Sequence, residues 1–544
     1  MAIRNERVLY PDICDLCGKK IASMYSPDKP FTVYCRPCWI SDKWDAMEYG
    51  RDYDWNKPFF VQFRELLEKV PRTAVAQYRN SINSDYANFT IDVKNVYLSF
   101  SALYSENIYY GRTVDYSKEC FDCFNVTYSE KCYWNVDCQR NFNCRFMVRS
   151  RECIDSAFLF DCANCQNCFM SSNLRNRQFV FRNQQLTKEA YKEKMAALNL
   201  GSYQQFQQFQ KEFADLRANA IHKFANMLKS VDCTGDNIEE SKNIKMCFDA
   251  YRCQDIKYTT RANDAKDVYD FYGSKAELVY EGIASGFDSF NDRFMTFGDT
   301  MKDSDYIDWC SVSTDLLGCI GLRKKSHCIL NKQYTKDEWR VMAPKIIKHM
   351  NDLPYIDKRG RIYKYGEFFP IELDCFAYNE TLAYEHHPLI KEEALRQGYG
   401  WRNPDPYPHK PTKQPQDLPD DIKDAPDAII NEVIGCPACG RAYRVIKPEL
   451  DFLRQHKIAL PRACPDCRYK ERFEIRNPLK LWHRQCMCLA VGASAKEADY
   501  KIHQNTTKHN HHPEGRCPNE FETSYNSDRP EAVYCESCYQ KEVV

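Results

Sequence analysis

The stretch Cys120-Phe-Asp-Cys-Phe-Asn-Val-Thr-Tyr-Ser-Glu-Lys-Cys132-Tyr-Trp-Asn-Val-Asp-Cys-Gln-Arg-Asn-Phe-Asn-Cys144 decides the fold, because its pattern returns every twelve residues. Extended outward, Val96, Ile108, Cys120, Cys132, Cys144, Ser156, Cys168 and Val180 form one column of small or β-branched residues. Ala102, Val114, Val126, Cys138, Ser150, Cys162 and Leu174 form a second column, six residues on. Tyr97, Tyr109, Phe121 and Tyr133 make an aromatic band, and Tyr104, Tyr116 and Tyr128 stack in another column. Ser105, Ser117, Ser129, Asn141, Cys153 and Cys165 follow that column and are read as turn residues. A fixed short period with small columns announces a solenoid. Twelve residues suit short strands and turns, not a helical repeat. The fold class expected is mainly β with helical caps: two narrow parallel β-solenoid segments flanked by zinc ribbons.

A second copy is visible. Leu174-Arg-Asn-Arg, leading to Thr187-Lys-Glu-Ala-Tyr, returns as Leu322-Arg-Lys-Lys, leading to Thr335-Lys-Asp-Glu-Trp, at an offset of 148. Thr187 and Thr335 read as helix N-caps, Thr335 with Glu338 as a capping box. Between Ile244 and Cys319 the twelve-residue spacing is degenerate and slips near Leu278. The expected order is a zinc ribbon (1–50), a helical cap and connector (51–93), solenoid copy 1 (94–186) and a helical segment (187–240). Solenoid copy 2 (241–334), a helical and hairpin segment (335–402), a Pro-rich linker (403–427) and a zinc-binding domain (428–544) complete it. The Phe59–Val70 helix is expected to cap the leading coil of copy 1. A helix over 203–229 carries Phe206, Phe209, Phe213, Leu216, Phe224 and Met227 on one stripe. That stripe suits a solenoid flank or a homodimer seam.

The 544 residues carry 76 basic and 76 acidic side chains, so no global field draws nucleic acid or membrane. The N-terminal residues lack a signal-peptide core, and no stretch approaches the roughly 18 apolar residues of a spanning helix. The expectation is a cytoplasmic protein, in which 29 cysteines are reduced or metal-bound. Cys14, Cys17, Cys35 and Cys38 form two C-x-x-C knuckles, and Cys436, Cys439, Cys464 and Cys467 form two more. This spacing suits tetrahedral zinc. A third site is irregular. Ser23–Trp39 aligns with Thr523–Tyr539 at an offset of 500, matching Cys17, Cys35 and Cys38 to Cys517, Cys535 and Cys538, but Glu514 stands where Cys14 does. Cys486 or Cys488 is the expected fourth ligand, with His511 or His512 as the alternative. About three zinc sites result. The solenoid thiols read as a reduced core, with Cys162, Cys165 and Cys168, or Cys120 and Cys123, as an alternative metal set.

Several phrases occur together: Cys-Asp-Leu-Cys-Gly (14–18) with Met-Tyr-Ser-Pro-Asp-Lys-Pro (24–30), Tyr-Gly-Arg-Asp-Tyr-Asp (49–54), Gln-Gly-Tyr-Gly-Trp-Arg (397–402), Cys-Pro-Asp-Cys-Arg (464–468) and His-His-Pro-Glu-Gly-Arg-Cys (511–517). They resemble an uncharacterised, cysteine-rich zinc-ribbon family from ultra-small uncultivated bacteria. The resemblance runs over nearly the whole chain and implies zinc and a bacterial cytosolic setting. Some members carry a label for class III CoA-transferases, whose aspartate nucleophile and α/β framework have no counterpart in this pattern.

Three functions are therefore expected in order. The first is a zinc-binding scaffold or macromolecular-interaction protein presenting aromatic solenoid faces. The second is a nucleic-acid- or ribosome-associated protein, contacting phosphates through Arg468, Lys470, Arg472, Arg476, Lys480 and Arg484. The third is an enzyme, at the irregular third site or on a solenoid face bearing Asp122, Asp137 and Asp161.

Overall fold

The computed structural model describes residues 1–405, 409–493 and 503–544. The chain is mainly β, with long parallel sheets, and divides into two compact units. One comprises 1–76, 225–403 and 479–481; the other comprises 77–224, 404–478 and 482–544. Each unit thus combines pieces far apart in sequence.

In the second of these units, a parallel ladder runs through strands such as Thr90–Tyr97, Glu106–Tyr109 and Lys118–Phe121. Its register is twelve residues: Val96 pairs Ile108, Ile108 pairs Cys120, and Ala102, Val114, Val126 and Cys138 follow one another. Within each twelve lies a period of three. Every third residue from Asn95 to Asn176 has a left-handed backbone, with φ of 50° at Tyr104, 56° at Asn107, 56° at Tyr110 and 53° at Thr113. Each such corner turns the next side chain inward.

Four side chains per repeat therefore face the interior, not two. The residues expected in turns are among them: Ser105, Ser117, Ser129, Asn141, Cys153 and Cys165 are all buried. Their polar atoms have a shared duty. Ser105 Oγ donates to Leu103 O at 2.8 Å and accepts from Ser117 N at 3.1 Å. Cys120 Sγ points at Lys118 O and Ser129 O, at 3.4 and 3.7 Å. Thiol, hydroxyl and amide thus give a further donor to carbonyls that already accept from backbone N–H groups, as Leu103 O does from Tyr116 N and Ser129 O from Lys118 N, while the hydroxyl oxygens serve inward N–H groups such as that of Ser117. Gly111 fills an inward place where a Cβ would stand 2.9 Å from Val114 Cγ2 and 3.0 Å from Ile108 Cγ2. Outside, asparagine columns tie successive corners, as in Asn83–Asn95–Asn107 at 2.9 and 2.8 Å.

The ladder's aromatic flank is covered. Phe206, Phe209 and Phe213 of the helix Tyr203–Asn219 pack on Phe146, Phe158 and Phe169. Of the two placements expected for this stripe, a flank or a homodimer seam, these three rings take the flank of the ladder. The helix stops at Asn219, ten residues short of the expected end, because the chain turns extended at Ala220 and enters the strand Ile221–Lys223. Phe121 and Tyr133 of the aromatic band are buried under Phe452 of the helix Lys447–Gln455, with Phe121 and Phe452 ring centres 4.4 Å apart. The Pro-rich segment is not an extended tether. Short 3-10 turns at Pro415–Asp417, Ile422–Asp424 and Asp427–Asn431 place Leu418, Ile422 and Ile429 in the core. Pro406 and Pro408 lie outside the described residues.

The other unit repeats this design with faults. Its ladder keeps a register of twelve at Ile244 with Ile256, drops to eleven at Tyr269 with Tyr280, and rises to thirteen at Tyr280 with Arg293. It recovers twelve at Arg293 with Asp305. The helix Phe59–Leu67 lies on this ladder, its Phe59 and Phe60 against Tyr306 at 5.4 and 5.3 Å, and does not cap copy 1. The exit helix Lys336–Asp352 carries the Thr335–Glu338 capping box.

Candidate metal centres

A small cysteine-rich module docks on each ladder by equivalent contacts. In the unit built on copy 2, Val33 and Tyr34 pair in parallel with Arg72 and Thr73. Arg72 reaches Asp308 at 2.9 Å, and Trp39 meets Trp309. In the unit built on copy 1, Val533 and Tyr534 pair with His222 and Lys223. The His222 ring lies 4.8 Å from that of Phe160, tilted by 45°, and Tyr539 hydrogen-bonds Asp161. An offset of 500 carries Val33, Tyr34 and Trp39 onto Val533, Tyr534 and Tyr539, 148 carries Phe160 and Asp161 onto Asp308 and Trp309, and 150 carries Arg72 and Thr73 onto His222 and Lys223.

Cys14, Cys17, Cys35 and Cys38 converge, as do Cys436, Cys439, Cys464 and Cys467. Sulfurs bound to one tetrahedral ion at ~2.3 Å stand about 3.8 Å apart. The Cys17–Cys35 pair is at 3.8 Å and the Cys439–Cys464 pair at 3.7 Å. Cys35 N donates to Cys14 Sγ at 3.2 Å, and Cys464 N to Cys436 Sγ at 3.3 Å. Burial works against the thiolates of Cys14 and Cys436. The backbone N–H groups around each outweigh it and bring both down to about 7. Left-handed Gly18 and Gly440 close the two knuckles. These donor sets fit a thiophilic divalent ion.

The third centre gathers Cys486, Cys488, Cys517 and Cys538, and also brings Cys535, His509, His511 and His512 within ligand reach. Cys535 N donates to Cys486 Sγ at 3.2 Å, the bond Cys35 makes to Cys14. Cys486 therefore takes the place vacated at Glu514. Cys488 Sγ lies 3.1 Å from His512 Nε2 and 3.0 Å from Cys538 Sγ. His509 reads from the sequence as one of a histidine run (His503, His509, His511, His512) expected on the surface, with spare ligands for another site as the alternative; it is buried beside His512. Its other nitrogen meets Glu542, whose carboxylate also accepts from Thr506 and Thr507. Burial opposes ionisation of Glu542, but these hydrogen bonds hold its carboxyl down at about 2.

The inward thiols of the ladder have a different environment. Cys162, Cys165 and Cys168 each point at backbone carbonyls, and Cys120 and Cys123 do likewise. No described cysteine forms a disulfide.

The basic stretch expected to meet phosphates is largely interior. Arg468 and Arg472 are buried and share Asp122, at 3.0 and 2.8 Å; Arg468 also holds Glu449 at 2.8 Å. Arg476 pairs Asp137 at 2.9 Å, and Arg484 donates to the carbonyls of Tyr525 and Asn526. Lys470 is exposed and faces Glu474. Asp122, Asp137 and Asp161, expected near solenoid turns, lie at left-handed corners and are the ladder's anchors for these partners, for Arg175 and for Tyr539.

A cleft of about 410 Å³, missed in the sequence, is lined by Arg149, Arg217, His222, Arg529 and Glu531 among others. Burial lowers His222 to about 4, so it is neutral at pH 7. Among the described residues no helix is long and apolar enough to cross a membrane. No protein-family model matches the chain, and no curated protein matches it.

Proposed function

We propose that this protein is a zinc-stabilised scaffold of the uncharacterised zinc-ribbon family it resembles, built on two narrow β-solenoids and working by interaction with a macromolecule. The observation that carries this reading is the repeated backbone N–H to sulfur bond: Cys35 to Cys14, Cys464 to Cys436 and Cys535 to Cys486. The same bond at three separate thiol clusters supports ribbons of one kind, each with a full set of protein donors. Such sites contribute folding energy and leave no coordination position for a substrate. The use of Asp122, Asp137 and Asp161 as internal anchors favours a scaffold over catalysis on the ladder face.

A protein partner is favoured over nucleic acid, because the arginines of the basic stretch are engaged internally. Tyr104, Tyr116 and Tyr128 form the aromatic column that stays outside, their rings stacked 5.0 and 4.9 Å apart, with Tyr116 48% exposed. The test is metal analysis of the purified protein, followed by chelation. Zinc in at least the two regular quartets, and a large fall in melting temperature when it is removed, is the expected result. A metal-free protein with an unchanged melting temperature would refute the reading.

A further inference from the structure

We propose that the C-terminal centre is dinuclear, with two zinc-class ions joined through the thiolate of Cys538. The first ion takes Cys486, Cys517, Cys535 and Cys538. The second takes Cys488, His509, His512 and the shared Cys538. This rests on the reading that the cysteine clusters hold metal, and deepens it at one of them.

Donor number is the first argument. Two tetrahedral ions sharing one ligand need seven donors, and five cysteines and three histidines converge here. Cys538 belongs to all three overlapping ligand groups that the centre contains. Among the described residues neither regular quartet has any such surplus.

The second argument is the module's own template. Cys486 accepts from Cys535 N as Cys14 accepts from Cys35 N, and Cys517 and Cys535 stand 3.9 Å apart, like Cys17 and Cys35 at 3.8 Å. One ribbon ion is therefore accounted for by the residues that match the N-terminal module. Cys488, His509 and His512 are then left over, all buried.

These leftovers are arranged as ligands. His512 Nε2 stands 3.1 Å from Cys488 Sγ, 3.3 Å from Cys538 Sγ and 3.0 Å from His509 Nδ1, so four donor atoms face one point. His509 Nε2 meets Glu542 Oε1 at 3.0 Å, and both side chains are enclosed. A carboxylate on the far nitrogen of an imidazole fixes the tautomer that ligates through the near one. Charge points the same way. One ion ringed by four thiolates leaves two negative charges unbalanced in the interior. A second ion, arriving with one further thiolate and two neutral imidazoles, reduces that excess to one. Exposed His511, whose Nε2 lies 3.2 Å from Cys538 Sγ, is the donor left outside.

Full-length protein loaded with zinc should carry four ions, two in the regular quartets and two here. The double variant His509→Ala/His512→Ala should carry three. Wild-type protein loaded with cadmium-113 needs no variant to fold. It should give four resonances, two unsplit ones from the regular quartets and two from this centre, one all-sulfur and one mixed sulfur–nitrogen, each of these split by the other through the shared thiolate. Three ions in the wild type and three in the histidine variant would overturn the proposal, as would four cadmium signals without mutual splitting. Failure of the scaffold reading looks different: the quartets at Cys14 and Cys436 would then take up no metal.

Discussion

Asp122, at a left-handed corner of the first ladder, holds Arg472 at 2.8 Å with both side chains fully enclosed. The same carboxylate holds Arg468 at 3.0 Å, and Arg468 in turn holds Glu449. Four charges are thus balanced inside the unit formed by 77–224, 404–478 and 482–544. Removing one member of such a set strands the rest without solvent.

Asp122→Asn is therefore expected to cost ~3–5 kcal/mol. The urea midpoint of the unit should fall, and proteolysis should begin between residues 404 and 478. An unchanged midpoint would show that the network contributes nothing. Lys470→Ala, which removes an exposed i,i+4 pair, should change stability by less than ~0.5 kcal/mol.

Asp292 occupies a buried inward place. Its Oδ1 accepts from Ser304 N at 3.0 Å, as Asn141 Oδ1 accepts from Cys153 N, while its Oδ2 is buried without a partner. Burial raises this carboxyl to about 8 from an ordinary 3.8. Between those values the folded chain binds a proton the unfolded chain does not, so this group's stabilisation is complete below about pH 4 and lost as pH rises through 8. Asp292→Asn should supply the amide that Asn141 uses to reach Ser150 O. Thermal melts should show little change at pH 4 and a gain of a few kcal/mol at pH 8. Equal curves at both pH values would contradict the assignment.

Val312 is a β-branched residue at φ 49°, half exposed. A left-handed backbone costs such a residue roughly 1–2 kcal/mol, and asparagine far less. Val312→Asn should raise stability by about 1 kcal/mol, read as a higher urea midpoint with the same slope. A lower midpoint would mean that the valine's packing outweighs its backbone strain.

Acid should release the metal proposed for the three clusters, because thiolate ligands must lose a proton to bind. Zinc freed into a chromophoric chelator should rise steeply below about pH 5, alongside a loss of near-UV signal. Release without any structural change would separate the ions from folding.

Much of this was readable before any coordinates. The period of twelve follows from the cysteine columns, and the two regular quartets follow from their spacing. The finer period of three was hidden because its inward places accept Ser, Cys, Asn, Met and Leu alike. Corners usually betray themselves by glycine, yet here Tyr116, Glu119 and Asp122 occupy them. The basic run at Arg468–Arg484 looked like a surface because its acceptors, Asp122 and Asp137, lie more than three hundred residues upstream. The offset of 500 between the modules was visible. Which ladder each module joins was not, because contacts such as Arg72 with Asp308 have no local signature.

That crossed pairing sets a timetable for synthesis. Cys14 to Cys38 leave the ribosome early, but Asp308 and Trp309, against which their module rests, emerge roughly 15–50 s later at ~5–20 residues per second. A metal ion caught by those four sulfurs in the interval would keep the newborn module folded while it waits for the second half of the chain.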